Sequence, residues 1–313
     1  MTKMMATREA YGEALKELGK INKDVVVLDA DLSKSTKTAV FGKEYPERFI
    51  NVGIAEQNLI GTAAGLATTG KIPFASSFAM FATGRAFEII RNSVAYPKLN
   101  VKIAATHAGL TVGEDGASHQ ALEDISVMRT IPNMVVLNPA DGVEAKAAVK
   151  KAAEYKGPVY IRLGRSKVPT IFDEANYKFE IGKGILLRDG KDVTIVATGI
   201  MVSLALEAAE MLEKDGVDAR VINIHTIKPI DKELIIKAAK ETGAIVTAEE
   251  HNIIGGLGSA VAEVLVENCP VVMERVGVKD TFGESGSGNE LLKKYGLTSE
   301  KITEAAKKVI NRK

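Results

Sequence analysis

Tryptophan is absent from this 313-residue chain, aromatic residues make up 5% of it, and cysteine occurs once. A single cysteine excludes an internal disulfide. Because Cys269 lies in the apolar stretch 264–273, we expect a packed, buried thiol rather than a reactive one. Neither sign of charge is in excess, since 41 Lys and Arg face 40 Asp and Glu for a formal net charge of +1. This balance gives no reason to expect nucleic acid or a membrane surface as a partner.

Long apolar runs are also lacking. No stretch is long and apolar enough to span a bilayer, and residues 1–10 carry no run of the signal-peptide type. A cytoplasmic protein is therefore expected. The chain is 46% hydrophobic and 26% charged, which is enough for two domains with their own cores.

Short β-branched runs alternate with longer stretches of helical periodicity, which predicts parallel sheets covered by helices on both faces. The predicted strands of the first part are 25–28, 72–76, 101–105, 134–137 and 159–162, and its helices are 7–18 (with Thr7 as cap), 55–68, 78–96, 122–130 and 142–155. The second part has predicted strands 193–197, 219–224, 244–248 and 271–274, and helices 202–214, 232–241, 258–266, 289–295 and 299–311.

Between the two parts, residues 167–190 are polar and contain Pro169 and three glycines, as a linker would. The predicted fold class is α/β with two doubly wound domains. The first domain covers 1–168, a linker covers 169–190, and a smaller C-terminal domain covers 191–313.

Glu56 is the first candidate for chemistry. It follows a strand-like piece, 49–52, and opens a helix of small apolar residues. A carboxylate at a helix N-terminus is stabilised by the helix dipole, so the residues alone favour a plain helix-start charge. However, the two turns after Asn58 are apolar or small, which predicts a buried helix. A carboxylate at the mouth of a buried helix needs a partner.

The segment 107–120 is the second candidate, because it follows the strand 101–105 and ligands bind at the carboxyl ends of strands in doubly wound sheets. It holds two of the four histidines, two carboxylates and three glycines. Asp115 and His119 could share one face of a turn and bind a ligand hydroxyl, a role that the location favours over plain surface polarity. Zinc is not favoured, because no spacing matches a zinc signature.

Three further features are ambiguous. Arg162 and Arg165, at the end of the strand 159–162, suit a phosphate group but equally a solvated arginine. The glycines in 255–258 favour a tight turn over a phosphate cradle, since they lack the order of known phosphate motifs. Phe78 and Phe81 are three residues apart, which is typical of a core; a ring-stacking platform is the alternative.

Together these segments resemble the transketolase family. The resemblance rests on NVGIAEQN at 51–58, THAGLTVGEDGASHQ at 106–120, YIRLGRS at 160–166 and HTIKPID at 225–231, and it extends from about residue 7 to 310. It implies a pyrimidine-binding α/β domain at 1–168, a transketolase-type C-terminal domain, and thiamine diphosphate as cofactor. The implied reaction is reversible transfer of a two-carbon ketol unit from a ketose phosphate to an aldose phosphate.

The resemblance also implies residue roles. Glu56 matches the glutamate that hydrogen-bonds N1′ of the cofactor's aminopyrimidine, and with it His107 and His119 are expected to be catalytic. The cofactor-binding positions are Glu56, Asp31, Phe78 and Phe81, and the substrate-binding positions are Arg8, Ser35, His107, Asp115, His119 and Arg165. Where the family often has a tyrosine this chain has Gly84, which predicts a looser or differently filled pocket.

The family's diphosphate and metal site, a Gly-Asp-Gly followed by Asn, matches nothing in this chain, and no room for that half precedes Arg8. We therefore expect no metal ligands on this chain. An N-terminal partner subunit is expected to hold the diphosphate and Mg²⁺ or another divalent ion. Two copies of each chain, a heterotetramer serving the pentose phosphate pathway, would satisfy closed symmetry.

Two alternatives share the thiamine class: a deoxyxylulose-phosphate synthase subunit and the β subunit of a 2-oxoacid dehydrogenase. His107 favours transketolase, because the synthase pattern lacks that contact. A dehydrogenase would need no sugar-hydroxyl readers at Asp115 and His119. A non-catalytic regulatory subunit is the alternative of a different class, and the intact Glu56 argues against it. The further alternative of a nucleotide-binding protein is supported only by the glycines in 255–258.

Overall fold

The computed structural model describes residues 3–313. Its first sheet has seven strands, which lie side by side in the order Thr226–Lys228, Val135–Leu137, Val159–Arg162, Lys102–Ala105, Ile72–Ser76, Val25–Asp29 and Phe49–Asn51. Every neighbouring pair is parallel except the first, in which Thr226–Lys228 runs antiparallel to its neighbour. The sheet is thus built mainly from the first part of the chain, as predicted, and one edge strand comes from the second.

Helices connect these strands. They are Thr7–Ile21, Ser33–Thr36, Ala39–Glu44, Glu56–Thr68, Phe87–Ile89, Asp124–Thr130 and Gly142–Glu154, with short 3₁₀ turns at Pro46–Arg48 and Leu110–Val112. The predicted helix 78–96 is not one regular helix, because Phe81–Arg85 and Ile90–Ala95 have the wider π winding. A two-stranded antiparallel ribbon joins Met4–Ala6 to Lys167–Pro169.

The second sheet has five strands in the order Val272–Val278, Ala244–Asn252, Val193–Ala197, Ala219–Asn223 and Ile185–Arg188. Only Ile185–Arg188, inside the segment 169–190, is antiparallel to its neighbour. That segment therefore contains an edge strand which its polar composition did not indicate. The accompanying helices are Met201–Lys214, Lys232–Thr242, Leu257–Asn268, Gly288–Lys294 and Ser299–Ile310.

The two sheets share apolar packing. One buried cluster contains Ile103 and Tyr160 of the first sheet together with Ile222 and Ile245 of the second. A mostly parallel sheet followed by a smaller second sheet, each accompanied by helices, confirms the predicted α/β fold class. In the part of the chain that the structure describes, no helix is long and apolar enough to cross a bilayer.

One local prediction was wrong, and another held only in part. Thr7 does not cap the first helix; Ala6 is the N-cap residue, and the Thr7 hydroxyl instead accepts the N–H of Gly164 at 2.7 Å. This tertiary partner replaces the local one. Cys269 packs against the apolar cluster of the two sheets, as predicted, but it is only partly buried, because it follows the end of the helix Leu257–Asn268 between two exposed residues.

Candidate active site

The candidate residues meet at one edge of the first sheet. Asp31, Phe78, His107 and Arg165 each follow a strand by two or three residues. Because those strands are parallel, their carboxyl ends lie at the same edge. This is the edge at which open α/β sheets bind their ligands.

Glu56 is the first residue of the helix Glu56–Thr68 and is 1% exposed. Its Oε2 accepts a hydrogen bond from Arg85 Nη1 at 2.7 Å. The Ser77 hydroxyl donates to Oε1 at 3.5 Å, the outer limit of a hydrogen bond. Arg85, whose side chain is 51% exposed, lies 5.1 Å from the centre of the Phe81 ring. It is the partner that a buried Glu56 required, and the sequence analysis missed it.

Four aromatic rings pack together at the same edge of the sheet. The Phe78 ring lies 3.8 Å from the His107 ring and 6.2 Å from the Phe81 ring, stacked on both. His119 meets Phe81 edge-on at 5.1 Å. Phe78 is held beside the histidine loop by a backbone bridge to Thr106. The structure therefore brings together four of the predicted site residues in one cluster.

His107 has a defined tautomer. Its Nε2 lies 3.2 Å from Arg8 Nη1, and a guanidinium only donates, so Nε2 is the acceptor. The proton then resides on Nδ1, which faces the Thr106 hydroxyl at 2.8 Å. Burial, together with the positive charges of Arg8 and Arg165, lowers the pKa of His107 to about 3. His107 is therefore neutral at physiological pH.

Arg8 connects two of the predicted substrate positions. The Nη1 that faces His107 also donates to the backbone oxygen of Ser35 at 2.8 Å. Its Nε is buried and has no acceptor within residues 3–313. A buried donor of this kind is costly unless a further group binds it.

Arg165 and Asp115 lie further out. Arg165 donates to Glu114 at 2.7 Å and to the backbone oxygen of Val112, and its hydrogen bond lowers the pKa of Glu114. Asp115 is exposed, and among the described residues no hydrogen bond joins it to His119. His119 instead places Nδ1 2.9 Å from the Ser118 hydroxyl. The predicted sharing of a ligand by Asp115 and His119 stays a prediction.

The segment around Asp31 is shaped by a residue that sequence reasoning missed. Asp29 is fully buried, and its carboxylate accepts the N–H of Leu32 at 2.6 Å and the hydroxyls of Thr36 and Thr38 at 2.7 and 2.8 Å. Burial raises the pKa of Asp29, and these hydrogen bonds oppose the rise. Exposed Asp31, with φ +65°, accepts from Asn51 at 2.9 Å. The signal in the sequence was a hydroxyl-rich stretch just after a buried strand.

Two candidates fall outside the site. Arg162 is neither solvated nor free for a phosphate, because it is 4% exposed, pairs with Asp124 at 2.8 Å and donates to the Glu250 carbonyl at 2.9 Å. The glycines in 255–258 form no phosphate cradle either. The carboxylate of Glu249 accepts the N–H groups of Leu257 and Gly258 at 2.7 and 2.8 Å, which fills that helix N-terminus.

The remaining features carry no chemistry that we identify. Buried His225 contacts Thr226 at 2.9 Å, and burial lowers its pKa to about 4. Buried His251 contacts the backbone oxygen of Asn252 at 2.7 Å. Gly84 is exposed, and an added Cβ would meet the Met80 methyl at 2.7 Å. Within residues 3–313, no three His, Cys, Asp or Glu side chains are arranged to hold a metal.

Comparison with known proteins identifies the family of the chain that carries this site. The family model for the transketolase pyrimidine-binding domain matches residues 3–170, and that for the transketolase C-terminal domain matches residues 182–302. A putative transketolase C-terminal section from Methanocaldococcus jannaschii is 60% identical, over 94% of this chain and 93% of its own length. The 6-deoxy-6-sulfo-D-fructose transketolase subunit SqwH of Clostridium sp. (strain MSTE9) is 48% identical, over 98% and 95%.

A solved structure described as a split gene transketolase, inactive beta4 tetramer, is 63% identical and superposes with a TM-score of 0.92, covering 98% of this chain and 99% of that one. The chain therefore belongs to the transketolase family. This confirms the family resemblance, and with it the interpretation of the chain as a transketolase subunit.

Proposed function

We propose that this chain forms one half of a two-chain transketolase. The enzyme moves a two-carbon ketol unit from a ketose phosphate to an aldose phosphate with thiamine diphosphate, in the cytoplasm, as a step of the pentose phosphate pathway. Residues 1–168 form the cofactor-facing domain and 191–313 the C-terminal domain. The observation that carries the proposal is the carboxylate of Glu56, buried at the ligand-binding edge of the sheet beside Phe81 and Arg85.

The residues at this edge fit the pyrimidine of thiamine diphosphate, a cofactor that the transketolase family generally uses together with a divalent metal ion. Glu56 Oε1 has only one long contact, to Ser77, so it keeps acceptor capacity for a ring nitrogen. The stacked rings of Phe78 and Phe81 give the same edge an apolar lining that suits a flat ring. Asp31, at the same edge, is the further residue proposed to lie near the cofactor.

Thiamine diphosphate supplies carbanion chemistry at a carbonyl carbon. The role of Glu56 is to hold or share a proton at N1′ of the pyrimidine, which its burial favours because an apolar setting strengthens that hydrogen bond. Phe78 and Phe81 exclude water from the same place. Glu56, His107 and His119 are the proposed catalytic residues.

Substrate recognition falls to the polar groups further along the edge. Neutral His107 presents Nε2 as an acceptor, and Arg8 keeps an unpaired Nε donor. Arg8 and Arg165 both lower the pKa of His107, which places two cations near this ring and suits a sugar phosphate. Ser35, Asp115 and His119 complete the proposed contacts with substrate hydroxyls or phosphate.

A second chain is proposed to bring the cofactor's diphosphate and its Mg²⁺ or other divalent ion. The support is in the relatives, which match this chain along nearly their whole length and are described as a C-terminal section or a subunit. Two copies of each chain form a heterotetramer with closed two-fold symmetry in this proposal.

The test is to co-express this chain with its N-terminal partner and assay ketol transfer from xylulose 5-phosphate to ribose 5-phosphate, with thiamine diphosphate and Mg²⁺. Activity that requires both chains supports the proposal. Turnover by this chain alone overturns the two-chain part. A complex that binds the cofactor and transfers nothing overturns the substrate part, and 6-deoxy-6-sulfo-D-fructose, named for the Clostridium relative, is then the next donor to assay.

A further inference from the structure

The strand Ala244–Asn252 of the second sheet reaches into the histidine-bearing loop of the first. Glu250, near its end, is 4% exposed, and its Oε1 accepts the backbone N–H of Thr111 at 2.7 Å. Two residues later, Asn252 donates its N–H to the backbone oxygen of Leu122 at 2.8 Å. One strand of the second sheet therefore contacts the loop 107–122 near both of its ends.

The contact with Glu250 is close enough to exclude a side chain from the loop. A Cβ added to Gly109 would lie 2.3 Å from the carboxyl carbon of Glu250. Gly109 also has φ +84°, a backbone conformation that glycine adopts without strain. The Glu250 carboxylate thus packs against the backbone of Gly109, two residues after His107. A shift of Glu250 would therefore displace the loop backbone at this point.

Glu250 is itself anchored. Arg162 donates to its backbone oxygen at 2.9 Å, and Arg162 in turn pairs with buried Asp124 at 2.8 Å. Tyr160 donates to the same Asp124 oxygen at 2.6 Å. Arg162 and Tyr160 belong to the strand Val159–Arg162, so Glu250 is fixed to the centre of the first sheet.

We propose that Glu250 is a positioning residue for the substrate loop: it fixes Thr111, and through the backbone 107–111 it keeps His107 between Phe78 and Arg8. The second sheet then contributes to substrate recognition as well as to the stability of the chain. The part of this inference that concerns substrate rests on the proposed function. The part that concerns the loop rests on the contacts alone.

The neighbouring Glu249 offers a matched control. It lies on the same strand and is 1% exposed, yet its carboxylate accepts the N–H groups of Leu257 and Gly258 rather than any group of the loop. Shortening either glutamate by one methylene keeps the carboxyl group and withdraws the acceptor from its N–H partner. Glu250→Asp therefore loosens the loop at Thr111, whereas Glu249→Asp loosens the helix N-terminus at Leu257 and Gly258.

The experiment compares Glu250→Asp, Glu250→Gln and Glu249→Asp by amide hydrogen exchange of the full chain. Glu250→Asp should raise the exchange rates of residues 109–112 about tenfold, as expected for one lost hydrogen bond. Glu250→Gln should stay near the unmodified rate, because its amide oxygen still accepts from Thr111. Glu249→Asp should instead release residues 257–258 and leave the loop unchanged.

In the assembled enzyme, Glu250→Asp should raise KM for the ketose phosphate about fivefold or more, whereas Glu249→Asp should leave KM unchanged, since the substrate contacts of His107 depend on the loop. Loop exchange that stays unchanged in Glu250→Asp, or rises equally in Glu249→Asp, overturns the inference. If the loop loosens as expected while the unmodified complex shows no ketol transfer, the positioning role stands and the proposed function falls.

Discussion

Two helix N-termini in this molecule each hold a buried carboxylate, and they differ in what remains free. At the first, Glu56 meets half-exposed Arg85, Arg85 lies over the Phe81 ring, and Phe78 links Phe81 to His107 by stacking. We term Glu56, Arg85, Phe81 and His107 the open rim. At the second, Glu249 meets two helix N–H groups at 2.7 and 2.8 Å. Both glutamates are 1% exposed.

The closed cluster, which we define as Glu249, His251 and residues 256–258, has no room for a ligand. An added Cβ at Gly256 would lie 2.0 Å from Glu249 Oε2 and 2.7 Å from His251 Nδ1. In the open rim, by contrast, Glu56 Oε1 keeps acceptor capacity and its cation reaches solvent. Burial and residue type are alike in the two places, so what distinguishes them is spare hydrogen-bonding capacity and the exposure of the partner cation.

The largest difference between the open rim and the closed cluster is expected in the turnover of Glu56→Gln. The amide keeps the size of the side chain but cannot hold or share a proton, so turnover of the assembled enzyme should fall about 10³-fold. Steady-state ketol transfer measures this, with complex assembly checked by size-exclusion chromatography. Exposed Glu47, which pairs with neighbouring Arg48, provides the control Glu47→Gln. Retention of most of the activity would contradict a proton role for Glu56.

In the closed cluster the corresponding change should affect stability and not chemistry. Glu249→Ala leaves the buried N–H groups of Leu257 and Gly258 without an acceptor, which should lower the free energy of unfolding by about 3 kcal/mol. Urea denaturation of the chain measures it. Glu267→Ala, at an exposed position of the same helix, should change little. If Glu249→Ala is as stable as Glu267→Ala, the Glu249 carboxylate does not stabilise the helix N-terminus, and the structural role given to the closed cluster is wrong.

The open rim should also respond to loss of its cation, though less. Arg85→Ala leaves Glu56 with only the long contact to Ser77, so the free energy of unfolding should fall by about 2 kcal/mol, a value reduced by the exposure of Arg85. The control is Arg91→Ala, which removes an exposed side chain that donates to its neighbour Asn92. Equal effects of the two substitutions would mean that the Glu56–Arg85 pair does not stabilise the chain.

The smallest effect concerns pH. The pKa of His107 is about 3 in the folded chain against 6.5 when unperturbed, so the unfolded chain binds a proton at His107 that the folded chain does not. Its stabilising contribution is complete above pH 6.5 and is lost as pH falls from 6.5 towards 3, by about 1 kcal/mol between pH 6.5 and 5.5. Stability curves of the unmodified chain and His107→Gln measure the difference. If the free energy of unfolding falls with pH equally in the unmodified chain and in His107→Gln, the pKa of His107 is not lowered by folding.

Much of the fold followed from local pattern. Strands such as Ile72–Ser76, Val159–Arg162 and Val193–Ala197 were predicted to the residue, because fully buried parallel strands appear as short apolar runs between polar turns. Ala244–Asn252 was predicted to end at residue 248, since Glu249, Glu250 and His251 look like the start of a loop. Tertiary partners keep these polar residues inside the strand.

The sequence by itself determined the alternation of strands and helices, the family resemblance, and the residues that follow the strand ends, because periodicity is a property of local sequence and the carboxyl ends of parallel strands share one edge. Only the tertiary structure decided which polar groups are already satisfied. Glu56 finds Arg85 at a separation of 29 residues, and Glu250 finds Thr111 at a separation of 139. Hydrogen-bonding partners that far apart are chosen by packing, so whether a buried carboxylate is structural or free to react is fixed by the folded chain.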